Sequence, residues 1–103
     1  MIRHIVALRF REGTAPATKT ARYADLARLS GHIAGIADFR TFANIAVEPP
    51  LMRGYNDVFW FDFRDAAVRV ACLADPEHQV IGGRIVAELE GGTEGVFVVD
   101  VRI

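Results

Sequence analysis

The sequence holds a single cysteine, Cys72, among 103 residues. A disulfide framework is thereby excluded, and such thiol usage suits a reducing compartment. Long apolar runs are missing as well. Ile2–Leu8 is interrupted by Arg3 and His4 and followed by Arg9 and Arg11, which is not the shape of a secretory leader. Nothing approaches the roughly 20 consecutive apolar residues of a membrane span. Nor is there a surplus of charge. Lys and Arg number 12, Asp and Glu 13, and the net charge is −1. The cations stand singly along the chain, so no basic patch invites nucleic acid or an anionic membrane. There is no Walker loop, CxxC or GxSxG, and Gly82-Gly83 and Gly91-Gly92 lack the strand-to-helix setting of a nucleotide site. These absences lead us to expect a cytoplasmic protein with neither nucleic acid nor membrane as a partner.

What is present is apolar material for one modest core. Hydrophobic residues make up 51% of the chain, and 103 residues amount to a single domain, 1–103. The segments read β-α-β-β-α-α-β. In Ile2–Phe10, Ile2, His4, Val6, Leu8 and Phe10 share one face of a strand, with Arg3, Ile5, Ala7 and Arg9 on the other. Thr14 is placed to cap a helix with Pro16 in its first turn. That helix should run to about Ala34, with Tyr23, Leu26, Ala27, Ser30 and Ile33 inward and Gly35 as its stop. Phe39–Val47 is expected to be a strand ended by Pro49-Pro50. Tyr55–Phe63 is the most hydrophobic strand, with Asp57, Phe59, Phe61 and Phe63 on one face. Asp65 can cap a helix over Ala66–Ala74 with Val68, Ala71 and Cys72 inward, and Asp75 a second beginning at Pro76. His78, Ile81, Ile85 and Leu89 form a stripe on that second helix, and Val96–Ile103 is the closing strand.

Four strands with helical connections between the first and last pairs predict an α+β fold. It would be a ferredoxin-like βαββααβ unit with a four-stranded antiparallel sheet. Helices would cover one sheet face. The other still carries apolar groups, and a homodimer through the sheet face would cover them.

Several segments together resemble the stress-responsive A/B-barrel (Dabb) family. They are Met1-Ile2-Arg3-His4-Ile5-Val6, Gly54-Tyr55-Asn56-Asp57 running into Val58–Phe63, Asp75-Pro76-Glu77-His78, and Val98-Val99-Asp100, in that order. The resemblance implies a dimeric α/β barrel with a hydrophobic pocket between sheet and helices in each protomer. Relatives of the polyketide-cyclase kind use the early histidine, the histidine after Pro-x, and a tyrosine six residues before it. Here His4 and His78 match, whereas the tyrosine position is Cys72 and a third histidine of the family's third strand is replaced by Asp57. The resemblance implies no cofactor.

His78 stands third after the Asp75 cap, in the first turn of a helix. The helix dipole there disfavours a positive imidazole, the Asp75 carboxylate favours one, and the balance is open. A neutral His78 suits a general base, and packing at a helix end is the alternative. His4, mid-strand on an apolar face, either lines a cavity and orients a carbonyl or a water, or is a satisfied core residue. Asp57, among aromatics, is costly unless paired. It could bond His4 or His78 as in a His–Asp dyad, or sit at an exposed strand end. His4, Asp57 and His78 have no tight ligand spacing, so no metal is expected. Tyr23, Leu26, Phe59, Cys72 and Ile81 are expected to line the pocket. Cys72 reads as a small buried apolar residue and His32 as a surface one.

Three functions remain open on these residues. The first is a cofactor-free enzyme that cyclises, isomerises or decarboxylates a small apolar carbonyl or aromatic compound, with His78 as base. The second is a non-catalytic dimeric stress or ligand-binding module. The third is a cofactor-free monooxygenase of the dimeric-barrel superfamily.

Overall fold

Alternation in the first strand decides which way the sheet faces. In the computed structural model, which describes residues 1–103, β1 spans Ile2–Leu8. Ile2, His4, Val6 and Leu8 are buried in it, and the residues between them are half-buried. The remaining elements are α1 (Pro16–His32), β2 (Ile36–Ala43), a one-turn helix α2 (Pro49–Met52), β3 (Asp57–Phe63), α3 (Ala66–Ala74), α4 (Pro76–Ala87), a 3-10 turn (Gly92–Gly95) and β4 (Val96–Arg102). The sheet order is β2-β3-β1-β4, with every neighbouring pair antiparallel. This is the ferredoxin-like α+β arrangement.

The core lies between the sheet's inner face and α1, α3 and α4. Phe59, Phe61 and Phe63 alternate along β3 and are buried. Their rings stand 5.9 Å apart in succession, and Phe39 of β2 joins at 4.9 Å from Phe61. Each fully buried phenyl contributes about 1.5–3 kcal/mol by leaving water. From the helices, Leu26, Leu29, Val68, Cys72, Ile81 and Ile85 complete the cluster.

The caps explain where α3 and α4 begin. The Asp65 carboxylate accepts from the Val68 amide at 3.0 Å. The Asp75 carboxylate accepts from the amides of Glu77 and His78 at 2.9 and 3.2 Å. Gly35 makes the turn into β2 at φ +93°, and a Cβ there would lie 2.5 Å from a Val68 methyl, so only glycine fits. Gly82 and Gly83 are different. They sit inside α4 where an added Cβ meets nothing within 4 Å. Each weakens the helix by about 1 kcal/mol relative to alanine, and close packing does not explain them.

Several sequence expectations shift. Thr14 does not cap α1; its hydroxyl bonds the Arg11 carbonyl, and Ala15 holds the N-cap position without a side-chain bond. The α1 helix ends at His32, and its buried residues are Asp25, Leu26 and Leu29, while Ala27 is exposed. Leu29 is three residues beyond Leu26 and stays on the stripe, where Ala27 turns away. Ala71 of α3 is exposed for the same reason. Strand β2 begins earlier and stops at Ala43, because its partner β3 begins only at Asp57. Beyond that rung Ile45 and Val47 are 88% and 92% exposed. Pro49 opens α2 rather than only closing a strand.

The outer sheet face is apolar and uncovered. Val99 and Phe97 of β4 lie opposite Ile5 and Ala7, which in turn face Trp60 and Val58 of β3. Phe42 stacks on Trp60 at 4.4 Å. Near one end, Arg3 holds Asp62 with two hydrogen bonds of 2.8 and 3.0 Å, its guanidinium lying over Trp60. On the helix side, buried Asp25 of α1 is ringed by Arg22, Arg28 and Arg84, the last from α4. That cluster ties the two helices together.

Candidate active site

A cavity of about 430 Å³ opens between the β1–β4 half of the sheet and the helices. Strand register sets its walls. His4 pairs with Asp100, Val6 with Val98 and Leu8 with Val96, and all six line it. On the opposite wall, His78, Gly82 and Val86 of α4 recur every four residues. Four helical residues rise about 6 Å, close to the roughly 6.8 Å that two strand residues advance. The far ends are tied together, since the Glu90 amide donates to the Arg9 carbonyl and the Arg11 amide to the Glu88 carbonyl. The cavity thus has three tiers. His4, Asp100 and His78 form a polar tier; Val6, Val98 and Gly82 the middle; Leu8, Val96 and Val86 the apolar floor. Leu26, Phe59, Leu73 and Ile85 complete the lining.

The polar tier is built as a relay. His4, buried at 8% exposure, meets Asp100 through Nδ1 at 2.6 Å. The other Asp100 oxygen accepts from Arg69 of α3 at 3.1 Å. With Nδ1 committed to a carboxylate, it carries the proton, and Nε2 is the nitrogen left to meet a ligand. In the sequence Asp100 stands out only as one residue of the closing strand. The signal that could have singled it out is alternation, since it shares a face with Val96 and Val98.

His78 carries a different environment. Its Nδ1 is buried and finds no hydrogen-bond partner in the protein. Its pKa is pushed below the ordinary histidine value, first by burial and then by the neighbouring His4, with Asp75 acting the other way. Burial therefore settles the balance that the helix dipole and Asp75 left open. Asp75 itself is drawn down: burial acts to raise it, but the His78 and Glu77 amides and then His32 outweigh that.

Because His78 holds its proton less tightly when folded than when unfolded, the sign of its pH effect follows. The unfolded chain binds more protons below the ordinary value of 6.5, so stability should be complete above it and decline as pH falls from there through the lower folded value. An NMR titration of the His78 ring should give a midpoint below that of an unfolded control. A midpoint at or above the control would contradict the buried, unpaired setting.

Asp57 is not at this site. Its carboxylate accepts from Lys19 of α1 at 2.9 Å, and it lines a separate polar hollow near the β1–α1 loop. The reason is register: His4 faces Phe61 on β3, four residues from Asp57, or about 13 Å along the strand. A dyad of Asp57 with either histidine, or a metal held by all three, is excluded by that separation. Tyr23 also misses the cavity. Its phenol is raised by burial and then by Asp57, beside which it lies. Cys72 is fully buried in the core, its thiol pushed up to about 11 by burial and then by Asp75. Its neighbour Leu73 takes the place at the cavity wall. Ile81 likewise packs in the core, since the cavity stripe of α4 runs through Gly82. Leu26 and Phe59 do line the cavity. Elsewhere, ligating atoms of His32, Asp75 and Glu77 lie within 4.8 Å of one another, but the Asp75 carboxylate already serves as the α4 cap.

The family model of the stress responsive A/B barrel domain matches residues 2–103. The chain belongs to the stress-responsive A/B-barrel (Dabb) family. Solved structures share its ferredoxin-like fold. A dimeric ferredoxin-like protein of unknown function from Jannaschia sp. CCS1 is 29% identical with a TM-score of 0.87, covering 99% of this chain and 98% of that one. An Arabidopsis thaliana protein is 20% identical with a TM-score of 0.88 over 100% and 95% of the two chains. The hydroxynitrile lyase of Passiflora edulis is 14% identical with a TM-score of 0.82 over 99% and 92%. At the last two identities the likeness is one of fold. No curated protein matches the sequence closely enough to count. No helix of this Dabb chain is long and apolar enough to cross a membrane.

Proposed function

We propose that this Dabb domain is a cofactor-free acid–base catalyst acting on a small apolar carbonyl compound. One observation carries the reading: two histidines in different electrostatic settings line the same apolar cavity. Such a division separates a base from an acid. Neutral His78 removes a proton from the carbon next to the carbonyl. The imidazolium form of His4, its Nδ1–H held by Asp100, donates from Nε2 to the oxygen as negative charge gathers there. The apolar lower tiers exclude water from the enolate. Isomerisation and ring closure both start from that species, and a domain of the same fold in Passiflora edulis is a hydroxynitrile lyase.

The protein works as a homodimer in the cytoplasm, the outer faces of two sheets covering each other. Phe97, Val99, Val101 and Ile103 supply that face, and the Jannaschia relative is described as dimeric.

Exchange of the α-protons of phenylacetone in deuterated buffer, followed by NMR, tests the chemistry. The wild-type protein should accelerate exchange, and His78→Ala should lower the rate by about 10²–10⁴-fold. Binding of phenylacetone without acceleration would instead make the protein a receptor. That second reading is favoured by the lining itself, which contains no phenol: Tyr23 lies outside it, and residue 72 is a cysteine.

A further inference from the structure

Gly82 is the one lining residue without a side chain. It occupies the middle tier, one helical turn from His78 and facing Val6 and Val98. A Cβ built there meets nothing within 4 Å, so the space beside it is open. Two glycines inside α4 weaken the helix without any close backbone approach to require them. Gly83 is exposed and does not reach the cavity, whereas Gly82 does. At Gly82 the missing side chain has a spatial result: it widens the cavity at the level just below the polar tier.

We propose that Gly82 determines the breadth of ligand the cavity admits. The favoured compound has an oxygen-bearing head at His4 and His78 and a ring or branched body at the middle tier. A side chain at residue 82 would fill the place of that body and leave room only for a thin chain running to the floor. The inference rests on the binding part of the function proposed above, and not on catalysis.

Calorimetry with two ketones tests it: phenylacetone, which carries a ring, and 2-hexanone, which is linear. Wild-type protein should bind both. Gly82→Leu should weaken phenylacetone by about 10-fold or more, while 2-hexanone changes by less than about 3-fold. Gly83→Leu, one residue along on the exposed side, should leave both affinities as they were. Gly82→Ala, which favours the helix, should give a smaller loss in the same direction, and it decides the matter if the leucine variant does not fold. Equal losses for the two ketones, or none for phenylacetone, would overturn the size-selecting role while leaving the cavity a binding site. If wild-type protein takes neither ketone, the binding reading itself fails and this inference with it.

Discussion

Val99→Asp is expected to convert the proposed dimer into monomers. Val99 lies mid-strand on β4, opposite Ile5, which is itself paired with Trp60. It therefore belongs to the apolar outer face, midway along the edge strand. In the isolated protomer it is 39% exposed, so a carboxylate there remains hydrated and the fold should survive. In the dimer two such carboxylates, related by symmetry, would enter an apolar contact. Burying a polar group without a partner costs on the order of 3 kcal/mol or more, which corresponds to at least about a 100-fold weaker association. Sedimentation or light scattering should then report the protomer mass. Val80→Asp, on the exposed side of α4 at 55% exposure, serves as the control and should leave the mass unchanged. A Val99→Asp protein that remains dimeric would show that the outer face is not the contact.

The second large effect is expected from Asp100→Asn. Asp100 acts through His4, which makes it a positioning residue. Its carboxylate accepts the Nδ1 proton; an amide can instead donate its N–H to that nitrogen and so favour the opposite tautomer, with the ring proton on Nε2. With a proton kept off Nδ1, His4 presents only a neutral Nε2–H to the cavity, and the charged donor that stabilises the developing oxyanion is lost. Loss of one such donor costs about 10²–10³-fold in kcat. The KM for phenylacetone should move little, because the ground-state carbonyl makes weaker use of that donor. Nitrogen shifts of the His4 ring report the change of tautomer directly, which simple loosening of β4 would not produce. An unchanged kcat beside a switched tautomer would remove His4 from the mechanism and leave His78 to act alone.

The residues that sequence reasoning placed well are those governed by local periodicity. The buried face of β1, the aromatic ladder of β3 and the capped starts of α3 and α4 all follow from spacings within one segment. Asp65 and Asp75 do cap those helices. The errors arise where a partner far along the chain decides. Phe39–Val47 has a strand-like composition throughout, yet the ladder ends at Ala43, and one bond beyond it, from the Asn44 amide to the Asn56 carbonyl, is the last between the two segments' backbones. Tyr23, Cys72 and Ile81 are apolar or aromatic residues on inward stripes, and such stripes look alike whether they meet a cavity or a core. Cavity-facing Gly82 offers no hydrophobic signal at all.

The sequence by itself determined the order of the strands and the longer helices, the inward faces of β1 and β3, the two histidines and the family. It could do so because side-chain alternation, helical spacing and capping are set by neighbours a few residues apart. Only the tertiary structure decided that Asp100, and not Asp57, serves His4. Both carboxylates lie on inward-facing strand positions, and a sheet's register across 96 residues is fixed by how whole strands and helices pack together. The same packing lowered His78 by burial, outweighing the opposing Asp75 charge.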